Sequence, residues 1–256
     1  MADWNAEHYL KFGDERTRAA VDLVARIKLD SPRRIVDLGC GPGNSTELLW
    51  HRWPEAEVVG MDSSPKMIAA AKEKFPEREW QQGDLASWSP DEPVDLVFSN
   101  AAIQWVPDHG RLMQRLIEGT AEGGALAFQV PSGNFAEVRK LIHVISREER
   151  WNDRMEGARA ELTMESPEFY YDALAAESVS LDIWESEYHH VMESTDAIVD
   201  WISSTGLRPF LAALDEDTEK DEFLAELKRR VAEAYEVRKD GRVLFPFRRT
   251  FVIAYR

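Results

Sequence analysis

At 256 residues, 44% hydrophobic and 30% charged, the chain has room for one large domain, or one domain carrying a small subdomain, around a sizeable core. Its 47 Asp and Glu against 31 Lys and Arg leave a formal charge of −16, which works against polyanionic partners, because phosphate binding needs clustered cations; neither nucleic acid nor an anionic membrane surface is expected. The single cysteine, Cys40, rules out an internal disulfide framework and fits a reducing compartment. No basic start and apolar run opens Met1–Tyr9, and no stretch approaches the roughly 20 apolar residues of a membrane span. The expectation is a soluble, cytoplasmic protein, read as a monomer.

In chain order, a helix is expected over about Glu15–Leu29, with Val21, Leu23, Val24 and Ile27 near helical spacing. Arg34-Ile35-Val36-Asp37-Leu38 reads as a buried strand entering a glycine cluster. Asn44–Trp53 then reads as a helix, Glu57–Met61 as a second strand and Pro65–Phe75 as a second helix begun by a tolerated proline and capped by Ser63 or Ser64. Trp80 lies in a third strand and Val94–Ser99 forms a fourth. His109–Thr120 is a helix ended by Glu122-Gly123-Gly124, and Ala125–Val130 a fifth strand. Strand–helix alternation at this spacing predicts a parallel sheet with helices on both faces. After Pro131 the pattern turns helical from about Phe135 to Leu181. A partly alternating strand over Trp184–Met192, helices at about Ser194–Ser204 and Glu219–Arg238, and a final strand over Arg249–Arg256 follow.

The most informative segment is Val36-Asp37-Leu38-Gly39-Cys40-Gly41-Pro42-Gly43-Asn44. A strand ends in an acid, and three glycines turn the chain into a helix, letting backbone approach a ligand closely. Asn44 stands where the dinucleotide fingerprint wants its last glycine, and Asp37 would repel a diphosphate while attracting an ammonium or sulfonium group. Asp62 closes the second strand, where an acid can accept from ribose hydroxyls. Asp84 follows the third, where a carboxylate can accept from an adenine amine while Leu85 packs on the ring. Each acid alone has an ordinary reading as a cap or turn residue; three at successive strand ends are harder to explain that way.

Together, Asp37-Leu38-Gly39-Cys40-Gly41-Pro42-Gly43, Gly60-Met61-Asp62, Gly83-Asp84 and Asp95–Asn100 resemble a class I S-adenosylmethionine-dependent methyltransferase over about residues 30–131. The flanks are more specific. Trp4-Asn5, Tyr9, Phe12 and Arg16, Asn100–Val106, Gly206–Phe210 and Leu244–Arg249 resemble the trans-aconitate 2-methyltransferase family over nearly the whole chain. The resemblance implies one α/β domain with a Rossmann-like, doubly wound, mostly parallel seven-stranded sheet. Residues 30–131 would bind the cofactor, and helical insertions over about 133–240, around a strand near 184–192, would form a lid on the acceptor side. It implies that Asp37, Gly39, Gly41 and Asn44 hold the methionine end of S-adenosyl-L-methionine, Asp62 its ribose, and Asp84 with Leu85 its adenine. Met67 belongs to the same cofactor set, and Asn100 faces the methyl group. Trp105 lies beside that site, and Trp4 and Tyr9 form a flap, Tyr9 reaching the substrate.

A methyl on sulfonium is already activated, so the protein must mainly align a nucleophile with it. A carboxylic acid is ionised at pH 7, so transfer to its oxygen needs neither metal nor general base, and no side chain is assigned a catalytic role. His189 and His190 are adjacent, point to opposite faces of a strand and cannot chelate together; each reads as satisfied or exposed, and His109 as a residue at the start of its helix. A small tricarboxylate needs cations. Residues 228–256 hold nine Lys or Arg against three acids, a +6 segment expected to contribute to the pocket, although Lys228 through Lys239 read mainly as a solvated helix face. Within it Arg248 and Arg249 lie between aromatic residues, and Arg208 stands in Gly-Leu-Arg-Pro-Phe; guanidinium forks bind carboxylates bidentately. Most of the nine tryptophans read as core packing. A methyltransferase for another small acid, a phenol or an amine, and a cofactor-binding protein without catalysis, remain alternatives; Asn44 and Asp84 disfavour a dinucleotide-dependent oxidoreductase.

Overall fold

The computed structural model describes residues 13–132 and 137–256, with side chains from residue 17 onward. Helix α1 (Gly13–Arg26) precedes the alternating series β1 (Arg34–Leu38), α2 (Asn44–Arg52), β2 (Glu57–Asp62), α3 (Pro65–Lys74), β3 (Glu79–Gln82), β4 (Val94–Asn100), α4 (His109–Glu118) and β5 (Thr120–Pro131). Three helices, α5 (Glu137–Ile145), α6 (Glu156–Ala160) and α7 (Pro167–Leu174), lead to β6 (Ser180–Met192). Three more, α8 (Thr195–Ser203), α9 (Arg208–Ala212) and α10 (Asp217–Ala234), lead to β7 (Val243–Tyr255).

The strands hydrogen-bond in the order β3-β2-β1-β4-β5-β7-β6, the first five parallel and β7 antiparallel to both neighbours. The order reverses between β1 and β4, so their carboxyl ends open a crevice of the kind that binds ligands in doubly wound sheets. Strand alternation divides the core. Ile35, Leu96, Phe98, Ala125, Ala127, Phe251 and Ile253 pack against α1, α2 and α3 on one face. Val36, Val97, Leu126, Phe128, Val252 and Ala254 pack against α4 and α7 on the other. A third apolar core joins α5, α6, α8, α9 and α10 to Met192, Val243 and Phe245 at the strand ends. The inserted helices therefore carry a core of their own over the sheet's carboxyl edge.

Local departures from the sequence expectations have physical causes. Helix α1 ends at Arg26, and Val21 is exposed while Leu23, Val24 and Ile27 are buried. Gly123 and Gly124 lie inside β5 rather than ending the helix before it: the register with β4 shifts there, and a Cβ on Gly124 would sit 2.6 Å from the Asp95 carbonyl oxygen. Strand β6 begins four residues early and β7 six residues early. Pro246 hides the latter, but β5 stops pairing with β7 at Arg249, so Pro246 pairs with β6 alone and a strand with one free edge there tolerates proline. Helix α9 was not expected. Ser64, not Ser63, caps α3, accepting from the Met67 amide at 3.3 Å.

Candidate active site

The turn between β1 and α2 needs its glycines. Gly39, Gly41 and Gly43 have φ of 77°, 55° and 91°, a region that side-chain-bearing residues seldom adopt. A Cβ on Gly39 would meet the Ala102 Cβ at 2.1 Å, and one on Gly43 would meet Trp80 at 2.5 Å; at Gly41 nothing lies within 4 Å. The amides of Gly39 and Cys40 donate to the Met61 carbonyl at 2.8 and 3.0 Å. Asp62 then fastens β2 to the turn: its Oδ2 accepts from the Gly41 amide at 2.9 Å and its Oδ1 from the Ser64 amide at 2.8 Å.

Asp37 is fully buried behind the turn, where the Ser45 and Thr46 hydroxyls both donate to its Oδ2 at 2.7 Å. Burial pushes its carboxyl up to about 6, against the lowering effect of those two hydroxyls. Its Oδ1 is buried with no hydrogen-bond partner. The pocket at the turn is lined by Thr17 and Ala20 of α1, by Gly39, Cys40, Pro42, Asn44 and Ser45, and by Asn100. Asp37 lies one layer behind this lining, with one oxygen unpartnered, and Asp62, Asp84 and Leu85 also stand outside it. Met67 is likewise buried in the first turn of α3 and outside that lining. Asp84 is exposed and caps a short 3₁₀ turn, Oδ1 accepting from the Ala86 amide at 2.8 Å, while Leu85 is buried. Among the described residues the turn's lining includes no cation. With Asp62 fastened to the turn through the Gly41 amide and an unpartnered oxygen of Asp37 behind it, the site suits a ligand bearing positive charge and ribose hydroxyls.

A second, larger cleft of about 1170 Å³, counted to its open mouth, lies between the strand ends and the inserted helices. Its apolar wall comes from Trp105, Val138, Ile142, Trp201, Phe210 and Phe247, among others, and its charged groups are Arg139, Arg159, Arg248 and Arg249. Among the described residues no Asp or Glu lines it. Arg249 is 7% exposed and lies over the Phe247 ring at 4.4 Å. Arg248 reaches the rim and pairs with Glu187 at 3.3 Å. Arg159 donates to the carbonyls of Ser146 and Asn152 at 2.6 and 2.9 Å. His143, facing Arg139 one turn away, is pushed down to about 4, first by burial and then by Arg139, Arg147 and Arg159.

Asn100 lines both pockets and is held by a hydrogen-bond relay across three neighbouring strands, β7, β5 and β4. Arg249 Nη1 donates to Gln129 Oε1 at 3.4 Å, and Gln129 Nε2 donates to Asn100 Oδ1 at 2.6 Å. Because a guanidinium cannot accept, the sense of the relay is fixed from Arg249 inward, leaving Asn100 Nδ2 as a donor at the junction. The next residue, Ala101, has φ of 56°, and its amide donates to the Gln129 carbonyl at 3.0 Å. Gln104 leaves its Oε1 buried and unpartnered on the cleft wall.

Of the acceptor-side expectations, Trp105, Arg248 and Arg249 line the cleft, whereas Arg208 stands at the start of α9 and is not in the lining. Trp4 and Tyr9 lie outside the described residues. Sequence reading missed Arg139, Arg159, Gln104 and Gln129. For Arg139 a signal exists: with His143 it flanks the Val138, Ile142, Ile145 stripe of α5 at helical spacing, an unusual place for a guanidinium. The +6 segment is also corrected, since within it only Arg248 and Arg249 reach the cleft. His109 starts α4 as expected; its Nε2 donates to the Ile103 carbonyl at 3.0 Å, so Nδ1 accepts from the Tyr170 hydroxyl at 2.9 Å. His189 is exposed and His190 buried, on opposite faces, but His190 is not satisfied: neither ring nitrogen has a partner, and burial, reinforced by Arg249, pushes it down to about 4.

Comparison with known proteins follows the same division. The sequence profile of a methyltransferase domain matches residues 35–124. A trans-aconitate 2-methyltransferase of Azoarcus sp. strain BH72 is 48% identical over 258 residues, covering 100% of both chains. Another, from Methylobacterium nodulans, is 47% identical over 100% of this chain and 99% of its own. Among solved structures, phosphoethanolamine N-methyltransferase 2 of Haemonchus contortus in complex with S-adenosyl-L-methionine superposes with a TM-score of 0.60. The match covers 98% of this chain and 56% of that one at 15% identity, a likeness of fold.

Proposed function

The chain belongs to the trans-aconitate 2-methyltransferase family, and from that membership we propose how its two pockets carry out methyl transfer from S-adenosyl-L-methionine to a carboxylate of trans-aconitate. The cofactor supplies a methyl group activated by its bond to sulfonium. The residues that would hold it are the Gly39–Asn44 turn with Asp37 behind it, Asp62 toward the ribose hydroxyls, and Asp84 with Leu85 toward the base. Met67 supports this set from the core of α3 rather than by contact.

The observation that carries the acceptor reading is the charge of the cleft. In a protein of formal charge −16, the cleft presents four guanidinium groups and no carboxylate among the described residues. Such a wall suits a compact polyanion. It meets the cofactor turn at Asn100, whose Nδ2 is oriented as a donor. A carboxylate held there needs no proton removed, because it is ionised at pH 7; alignment and exclusion of water supply the rest of the rate. The same charge balance supports a small-molecule partner rather than nucleic acid or an anionic membrane. Among the described residues no helix is long and apolar enough to cross a membrane, and the cytoplasmic monomer inferred from the sequence is kept as part of this reading.

The test is incubation of the purified protein with methyl-labelled cofactor and a panel of di- and tricarboxylic acids, followed by mass spectrometry. One methyl ester on trans-aconitate is expected. A panel in which another acid gains the label and trans-aconitate does not would overturn the acceptor assignment while leaving the methyltransferase intact.

A further inference from the structure

Resting on that reading, we propose that Arg139 is the specificity-determining anchor for an acceptor carboxylate other than the one methylated at Asn100. The other three guanidinium groups of the cleft have polar partners in the protein: Arg159 on two carbonyls, Arg248 on Glu187, and Arg249 on the Gln129 amide. Arg139 does not. Its Nη1 lies 3.2 Å from the Met164 sulfur, a weak acceptor, and its Nε is buried with no partner. Desolvating even part of a guanidinium without a carboxylate beside it is costly, so the half-buried Arg139 is a cation whose partner the described residues do not supply.

The surroundings agree. Burial lowers the Arg139 guanidinium to about 10, which leaves it charged at neutral pH, and the neighbouring His143 stays neutral in the same positive field. Among the described residues the cleft brings no acid of its own to compete. Position supplies the second half of the argument. Arg139 projects from α5, on the inserted helices, whereas Asn100 ends β4 and Arg249 lies in β7 where its pairing with β5 stops, and all three line one cavity. An acceptor with one carboxylate at the Asn100 junction therefore offers another to the helical wall. A monocarboxylate could reach Asn100 but would leave Arg139 unpaired, so the residue favours acids with at least two carboxylates.

The experiment compares the full-length wild type with R139M and R139K. Steady-state methyl transfer gives KM and kcat for trans-aconitate, calorimetry gives the cofactor dissociation constant, and thermal unfolding is followed with and without trans-aconitate. R139M is expected to raise the KM for trans-aconitate roughly 10- to 100-fold, the effect of losing one or two charge-assisted hydrogen bonds. Its kcat should fall by less than KM rises, and its cofactor affinity should not change. R139K, which keeps the charge without the planar fork, should fall between. Because R139M removes a half-buried charge that has no acidic partner among the described residues, its unfolding midpoint without ligand should equal or exceed that of the wild type, and the stabilisation by trans-aconitate seen in the wild type should shrink. A structural role for Arg139 would instead lower the midpoint of R139M. A KM unchanged in R139M, or a lowered midpoint with R139K behaving as wild type, overturns the assignment while the functional reading stands. Wild-type protein that transfers no methyl to trans-aconitate overturns the reading and this assignment with it.

Discussion

Replacing Gln129 by Glu reverses one hydrogen-bond sense at the junction of the two pockets while changing almost nothing else. Gln129 is 1% exposed and lies between Arg249 at 3.4 Å and Asn100 at 2.6 Å. A carboxylate there still accepts from Arg249, and more strongly. Toward Asn100 it offers only acceptors, so the Asn100 amide must turn, giving its Nδ2 to the new carboxylate and presenting Oδ1 where the acceptor should sit. The junction then loses a donor to a carboxylate and gains a repulsion. A hydrogen bond to a charged group is worth about 1.5–3 kcal/mol, and about 1.4 kcal/mol is tenfold in rate, so kcat/KM for trans-aconitate should fall roughly 10- to 150-fold. Gln129→Leu makes the contrast. It takes the donor from Asn100 Oδ1 and one acceptor from Arg249, a cost of about 2–4 kcal/mol, which for a chain of this size lowers Tm by roughly 4–16 °C. Activity should therefore fall in both variants and stability in only one. The assay is labelled methyl transfer with thermal unfolding in parallel. A Gln129→Glu protein within about threefold of wild-type kcat/KM, under about 0.7 kcal/mol, with its Tm retained, would refute the relay.

Two further predictions concern the cofactor side. Asp62→Ala frees the Gly41 and Ser64 amides and removes the ribose acceptor, so the cofactor dissociation constant measured by calorimetry should rise roughly 10- to 100-fold; an unchanged constant would move the ribose elsewhere. Asp37, held at about 6 against 3.8 by burial, retains its proton in the native state between about pH 4 and 6, where the unfolded chain has released it. Stability contributed by this group therefore falls as pH rises through that window and stays low above it. Asp37→Asn should gain about 3 kcal/mol in urea unfolding at pH 8 and almost nothing at pH 4; an equal effect at both pH values would contradict the burial argument.

The cofactor half of this molecule was legible because its signals are local. A turn that needs φ of 77°, 55° and 91° within five residues admits glycine at each place, and the acids beside it sit at strand ends read from short apolar runs. The sheet order then aligns β3, β2 and β1, so Asp84, Asp62 and Asp37 end neighbouring strands. The acceptor half was not legible in the same way. Arg139 and Arg208 are alike in sequence, each a cation beside apolar residues. Only the packing of α5 and α9 onto a shared core separates the one that lines the cleft from the one that does not. Gln129 reads as one polar residue in an apolar strand; its meaning depends on Asn100 and Arg249, 29 and 120 positions away. The early start of β7 was masked by Pro246, whose tolerance depends on where another strand ends.

The charge of −16 and an anionic substrate are compatible because the two signs act over different ranges. The cations of the C-terminal segment are largely cancelled where they stand: Lys228 pairs with Asp196 at 3.3 Å, Arg229 with Glu226 and Glu233 at 2.8 and 2.7 Å, and Arg230 with Glu148 and Glu226. Arg238 pairs with Glu236 at 3.0 Å and Arg242 with Glu193 at 3.7 Å. Exposed pairs of this kind add little stability, and they leave no net field to draw an anion toward that face. The acidic exterior repels a tricarboxylate, but only to about 8 Å at physiological ionic strength. Inside the cleft, water is replaced by aromatic and aliphatic walls, screening weakens, and four guanidinium groups meet no opposing carboxylate among the described residues. Net charge therefore excludes large polyanions, which must lie across the outer surface. It does not exclude a small one that fits within the cleft, and selectivity for the acceptor belongs to the side chains that line it rather than to long-range steering.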